Sequence, residues 1–379
     1  MPLDRFDEIL PSPLSIMERR FSSDIVRFDV AEPGFPPPEA AVKATIEAIE
    51  CGTYGYSSSW GITELRQAIA EFLFSTRKIE RTADEILVTT GGKFANYAFF
   101  ASLVKPGESV ILIKPCWTSF LAVPQMLGIR TIEIWSKPPY HLNEEEIKEA
   151  LRSRPRAIVL NSPNNPTGGI LDERDISFVK DLAEDHDMLV LSDEIDWAYV
   201  YVNRKFISPA SLDGLRERTI VTDGFSKVFC MTGWRVGFAA GPKPLLSRMH
   251  TVQEHAVSAP STFAQCGCIS ALKGWREYIQ RNLAVCKSNL AKLLRSLNSA
   301  GVVSCPEPEG GFYVYPKIGS GFSSSRDFSE ALLKKAGVAV IPGEYFGDNR
   351  GHFRLCYAVQ SSVLEEGLRR LHRFFESVR

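Results

Sequence analysis

The chain reads as an α/β layered protein built on a mostly parallel sheet. Three observations predict this. Six short apolar runs, rich in Val and Ile and bounded by turn residues, have the length of buried strands. Stretches with helical apolar spacing lie among them. Turns bearing Gly, Asn, Asp or Lys follow several of the strand ends, where an open parallel sheet binds its ligands.

The first 40 residues are Pro-rich and end in Glu32-Pro33-Gly34-Phe35-Pro36-Pro37-Pro38, which suits neither a helix interior nor a central strand. They read as an extended arm. Residues 39–50 predict a helix stopped near Gly52, and 62–77 a second. Ile86–Val88 predicts a strand, followed by Thr90-Gly91-Gly92-Lys93 and a helix over 94–104. Val110–Ile113 and Thr131–Ile134 predict two more strands. Asn143 with Glu146 suggests a capping box opening a helix to about 153. Ala157–Leu160, Met188–Leu191 and Thr219–Thr222 complete the strand series. Residues 275–300 predict a long helix. Strand-like pieces at 311–315, 338–341 and 352–357 and a helix at 361–377 close the chain. We expect a large α/β domain over 40–270. The arm, 1–39, is expected to join 271–379 in a smaller α+β domain.

Composition narrows the function. The chain has 379 residues, 44% of them hydrophobic and 23% charged, the balance of an ordinary folded protein rather than a disordered one. The 44 basic and 45 acidic side chains leave a net charge of -1, which argues against a nucleic-acid binder. No segment has the roughly 18 apolar residues of a membrane helix. The N-terminus carries acids where a signal peptide has a basic region, so a cytoplasmic protein is expected. Eight scattered Cys read as free thiols, and Cys266-x-Cys268 lacks the partners of a metal site.

The turns carry the chemistry. Gly91-Gly92-Lys93 before a helix offers backbone N–H groups to an anion, although it is not a P-loop. Trp117 follows one strand. Asn165, in Asn164-Asn165-Pro166-Thr167-Gly168, follows another. Asp193 and then Ser226-Lys227 follow two more, with Arg235 eight residues beyond. Each alone is an ordinary connection. Together they suit a cofactor with a phosphate, an aromatic ring and a carbonyl, and pyridoxal 5′-phosphate fits.

Gly224-Phe225-Ser226-Lys227-Val228-Phe229-Cys230-Met231-Thr232-Gly233-Trp234-Arg235-Val236-Gly237 closely resembles the Schiff-base signature of class-I pyridoxal-phosphate aminotransferases, the fold-type-I aspartate aminotransferase superfamily. Tyr56 to Arg66, Pro115-Cys116-Trp117, Asn161 to Gly168, Ser192 to Ile195, Gly311-Phe312-Tyr313, Pro342-Gly343 and His352 to Leu355 occur in the family's order. The resemblance implies a seven-stranded sheet between helices and transfer of an amino group from an L-amino acid to a 2-oxo acid, plausibly 2-oxoglutarate. Lys227 would carry the cofactor as a Schiff base. Asp193 would hold the ring nitrogen, and Asn165 the ring oxygen. Gly92, Lys93, Ser226 and Arg235 would hold the phosphate, and Trp117 would stack on the ring. Tyr56 would reach the phosphate of a second subunit, so a homodimer is implied. Arg354 would pair with the substrate carboxylate, a task for a planar guanidinium.

Three positions depart from the family pattern. Cys230 stands where a small residue is usual, which reads as packing. Ala31 stands where a Gly usually lies near the substrate carboxylate. Asp196 stands where most relatives have a Tyr that donates to the ring oxygen. An ionised carboxylate cannot donate. Either Asp196 turns away, with Trp197 or Tyr199 filling the space, or the reaction differs. A carbon–sulfur lyase or a cyclase is therefore the alternative. A sensor domain of a transcription regulator is a third reading, opposed by the balanced charge and by the absence of room for a preceding helix-turn-helix.

Overall fold

The fold was obtained as a computed structural model, which describes residues 6, 7, 9, 12, 13 and 24–378. Most of the arm before residue 24 lies outside the described residues. In chain order the elements are β1 (Val26–Arg27), α1 (Glu39–Glu50), α2 (Thr63–Arg77), β2 (Ile86–Thr89), α3 (Gly92–Leu103), β3 (Ser109–Lys114), α4 (Thr118–Leu127), β4 (Arg130–Trp135), α5 (Glu144–Ala150), β5 (Ala157–Asn161), α6 (Glu173–Asp185), β6 (Leu189–Asp193), β7 (Thr219–Gly224) and β8 (Gly237–Ala240). Helices α7 (Lys243–Ala256), α8 (Thr262–Lys273) and α9 (Trp275–Ser299) follow. The remainder comprises β9 (Val303–Ser304), β10 (Tyr313–Val314), β11 (Lys317–Ile318), α10 (Ser325–Ala336), β12 (Val338–Ala339), β13 (Ile341–Pro342), β14 (Phe353–Cys356) and α11 (Ser361–Ser377).

Seven strands form the main sheet in the order β2-β8-β7-β6-β5-β3-β4. Neighbours from β7 to β4 pair in parallel, whereas β8 is antiparallel to both β7 and β2. Six strands therefore run one way, and their carboxyl ends share one edge. The strands are nearly continuous buried runs, as a sheet covered on both faces requires.

Several elements differ from the sequence-based expectation. Helix α3 begins at Gly92, two residues early, so the glycines sit at its first turn. Strand β6 extends to include Asp193. The 338–341 piece splits into β12 and β13. The helix expected to reach residue 153 ends at Ala150 and tightens into a 3₁₀ turn over Leu151–Ser153. Only the Asn143 half of its capping box forms, from Glu146 N–H at 3.3 Å. No pattern marked α4, which has Pro124 inside it, or β8, whose Gly-Phe-Ala-Ala lacks β-branched residues. Helices α6, α7, α8 and α10 are likewise additions to that reading.

Beyond the sheet, β1 pairs in parallel with β12. Val26 and Phe28 share an apolar cluster with Leu290, Phe328, Leu371 and Phe374. Gly367 on α11 is required by this contact, because a Cβ there would lie 2.2 Å from the Phe28 ring. No helix among the described residues is long and apolar enough to cross a membrane.

Candidate active site

The turns beyond the common strand edge meet at one cavity of about 520 Å³. Its lining includes Ala31, Gly92, Lys93, Trp117, Asn165, Asp193, Asp196, Ser226, Lys227, Arg235 and Arg354. Eleven of the twelve sequence-predicted site residues thus converge. Tyr56 is the exception: it is 96% exposed and does not line its own chain's cavity.

One end of the cavity is built for an anion. Gly91 caps α3 with φ of +76°, a conformation open to glycine. A Cβ there would stand 2.7 Å from Arg235 Nη2, so the arginine lies flat against bare backbone. Gly237 on β8 serves the same approach, since its Cβ would meet Gly92 N at 2.3 Å. The first N–H groups of α3 have no acceptor within the helix. They converge with Arg235, Ser226 and Lys93 on the same space. Lys93 Nζ lies 5.2 Å from the Trp117 ring centre. Partial desolvation and then the Arg235 charge lower its pKa.

Asp193 lies deeper, at the end of β6. It accepts from Asn96 Nδ2 at 2.7 Å and from Ile195 N–H at 3.2 Å. Asn96 is itself aimed by the Thr222 hydroxyl, which donates to its Oδ1 at 2.7 Å. Burial pushes the Asp193 carboxyl up to about 6. Behind it, Arg77 donates to Glu194 at 2.9 Å and to Asp223 at 2.7 Å, all three buried. This cluster joins the ends of β6 and β7.

Between the two ends stands Lys227. Its Nζ donates to the Ala31 carbonyl, and burial lowers its pKa below that of an ordinary lysine. Arg354, 3% exposed, enters from β14. Its Nη1 donates to Asn165 Oδ1 at 2.9 Å and its Nη2 to Asp29 O at 2.8 Å. Its Nε is buried without a partner. The guanidinium lies between the rings of Tyr313, at 4.8 Å, and Phe346, at 5.0 Å.

Asp196 does not turn away, contrary to one of the two expectations for it. It is 1% exposed and lines the cavity. Neither aromatic replaces it. Trp197 packs behind, 4.8 Å from Arg77 and edge-on to Phe72. The Tyr199 hydroxyl donates to Lys227 O at 3.2 Å, out of the cavity. Sequence reading overlooked Asn96 and Asp29, and named Tyr313 only within Gly311-Phe312-Tyr313, without a role. Asn96 alone carried a signal, as a polar residue within the apolar run Phe94-Ala95-Asn96-Tyr97-Ala98-Phe99-Phe100.

The donor set fits pyridoxal 5′-phosphate. An anion cradle that a single Cβ would fill stands at one end, a buried carboxylate at the other, and a depressed-pKa lysine between.

Comparison with known proteins agrees. Residues 23–371 match the family model of aminotransferases class I and II. The chain is 34% identical to aspartate aminotransferase of Pyrococcus abyssi, over 98% of this chain and 97% of that protein. It is 34% identical to aromatic-amino-acid aminotransferase 2 of Thermococcus litoralis, over 92% and 91%. The solved structure of Thermus thermophilus aspartate aminotransferase with maleate superposes with a TM-score of 0.92 at 32% identity, covering 98% of both chains. The chain belongs to the class I and II aminotransferases, and is a pyridoxal-phosphate-dependent enzyme of that family.

Proposed function

We propose that the enzyme moves an amino group from an L-amino acid to a 2-oxo acid, 2-oxoglutarate being the acceptor to try first, with Lys227 carrying the cofactor as a Schiff base. The observation that carries this reading is the placing of Lys227, Asp193 and Arg354 on one cavity. Pyridoxal phosphate, when bound, supplies a carbonyl for the amine and a ring that accepts the electrons of the Cα–H bond.

The residues have separable tasks. The α3 N-terminus, Ser226 and Arg235 would hold the phosphate, and Trp117 would pack on the ring. Ionised Asp193 would hold a proton on the ring nitrogen. Asn165 would donate to the ring oxygen, and it steadies Arg354. Arg354 grips the substrate α-carboxylate, with Ala31 alongside. With the cofactor bound, Lys227 would be the group placed to take up and return the Cα proton.

The domain division at about residues 40 and 270 belongs to this proposal. The β1–β12 pairing and the shared core of Phe28 with α11 support it. A homodimer with Tyr56 on the partner's phosphate is also proposed. Exposed Tyr54, Tyr56, Ile46 and Ile49 are the support for that. We place the enzyme in the cytoplasm, where its eight free cysteines stay reduced.

A single turnover with an amino acid and no oxo acid tests the reaction. Near-stoichiometric accumulation of aminated cofactor is expected. Pyruvate and ammonia with regenerated starting absorbance would establish the lyase reading instead, which Asp196 in the cavity favours. Lys227→Ala should prevent borohydride from fixing the cofactor to the chain.

A further inference from the structure

A buried carboxylate oxygen without a partner is unfavourable by several kcal/mol in general and calls for a compensating charge. Asp196 Oδ1 is such an atom among the described residues. Its backbone is held by Tyr199 N–H, which donates to Asp196 O at 3.0 Å, so the side chain is presented on a fixed turn.

The charged groups around it come from several elements. From β6, Asp193 is already bound by Asn96 and Ile195 N–H. From β7, Asp223 is bound by Arg77. Burial first, and then repulsion from these two carboxylates, raises the Asp196 carboxyl to about 7. From β14, Arg354 attracts it, but more weakly than Lys227 does. From the loop after β7, Lys227 exerts the largest attraction. Tyr199, Tyr201, Tyr313 and Cys356 also face Asp196, and burial keeps all four protonated and neutral near pH 7. Glu32, whose charge Lys227 also feels, is bound by the Thr232 hydroxyl. Lys227 Nζ otherwise meets a neutral carbonyl, that of Ala31.

We propose that Asp196, where ionised, is the counter-ion of the Lys227 nitrogen, holding a proton on it in both the cofactor-free and the loaded enzyme. The loaded half rests on Lys227 being the cofactor's carrier. Desolvation drives the lysine toward its neutral form, and the Asp196 charge opposes this. With the cofactor bound, a proton kept on the Lys227 nitrogen would make the carbon it carries more open to an amine. Asp196 is thus a positioning residue for that proton, acting through Lys227.

The test compares wild type, Asp196→Asn and Asp196→Glu, each checked for native circular dichroism. In cofactor-free protein, acetylation of Lys227 is followed by peptide mass spectrometry across a pH series. The neutral amine reacts, so removing the counter-ion should lower the half-reaction pH by about one unit or more, a gain of about tenfold at fixed pH below it. Asp196→Glu should return the profile toward wild type. In loaded protein, the pH titration of the visible cofactor band should move the same way. Overlapping wild-type and Asn profiles in both forms, with the cofactor reducible onto Lys227, would overturn the proposal. If borohydride fixes no cofactor on wild-type Lys227, the carrier assignment and the loaded half fall, and the acetylation profile alone decides the other half.

Discussion

Replacing Arg354 by Leu tests the substrate-carboxylate assignment most directly. The guanidinium is buried between two aromatic rings, its Nε is unpartnered, and its Nη atoms hold Asn165 and the Asp29 carbonyl. A carboxylate gripped by this fork gains two charge-assisted hydrogen bonds, each about 1.5–3 kcal/mol. Their loss, about 3–6 kcal/mol, corresponds to a fall of about 10²–10⁴ in kcat/KM. Donor and acceptor share the α-carboxylate, so both half-reactions should fall by a similar factor. Arg354→Lys should recover part of the loss, since a point charge replaces a fork. Stopped-flow rates of each half-reaction, with cofactor loading verified, supply the measurement. A loss below about tenfold in either half-reaction would refute the assignment.

Three further outcomes follow from the geometry. Gly91→Ala forces a side chain into the +76° backbone and against Arg235, so cofactor Kd should rise about 10–100-fold for a strain of about 1–3 kcal/mol; an unchanged Kd by fluorescence titration contradicts the cradle. Burial raises Asp193 to about 6, so as pH falls below that value the empty site takes up a proton that must leave before the ring nitrogen is held. Cofactor affinity should then weaken by up to about tenfold per pH unit, and the difference between wild type and Asp193→Asn cancels the phosphate's own titration; parallel profiles of the two proteins would reject this. Arg77→Met leaves Glu194 and Asp223 buried without their cation, which should destabilise by about 3–5 kcal/mol in urea unfolding; a loss under about 1 kcal/mol would show that the pair is hydrated or protonated instead.

Much of the architecture was legible because its signals are local. Runs such as Val110–Ile113 and Ala157–Leu160 announce buried strands through composition alone, and β3 and β5 lie where they do. Where composition is neutral the signal vanishes. Strand β8 has no β-branched residue and opens on Gly237, which must admit the Gly92 backbone, so the property that makes it work also hides it. Helix α4 carries Pro124, which reads as a breaker yet is buried by its surroundings.

The same division runs through the site. Lys227, Asp193, Asn165 and Arg235 could be named from the chain because each follows a strand end within a recognisable turn. Their chemistry is a property of side-chain type. Their environment was not available locally. Asp193 owes its aim to Asn96, 97 residues away, and Arg77 reaches Asp223 across 146 residues. Arg354 meets the Asp29 carbonyl across 325. Desolvation, which sets the protonation of Asp193, Asp196 and Lys227, depends on what distant segments pack around them. Residue types and their order along the strands therefore specified the fold class and the kind of cofactor. Only the assembled cavity decided that Asp196 lines the same space as Lys227, because direction and burial of a side chain are set by contacts between segments remote in sequence.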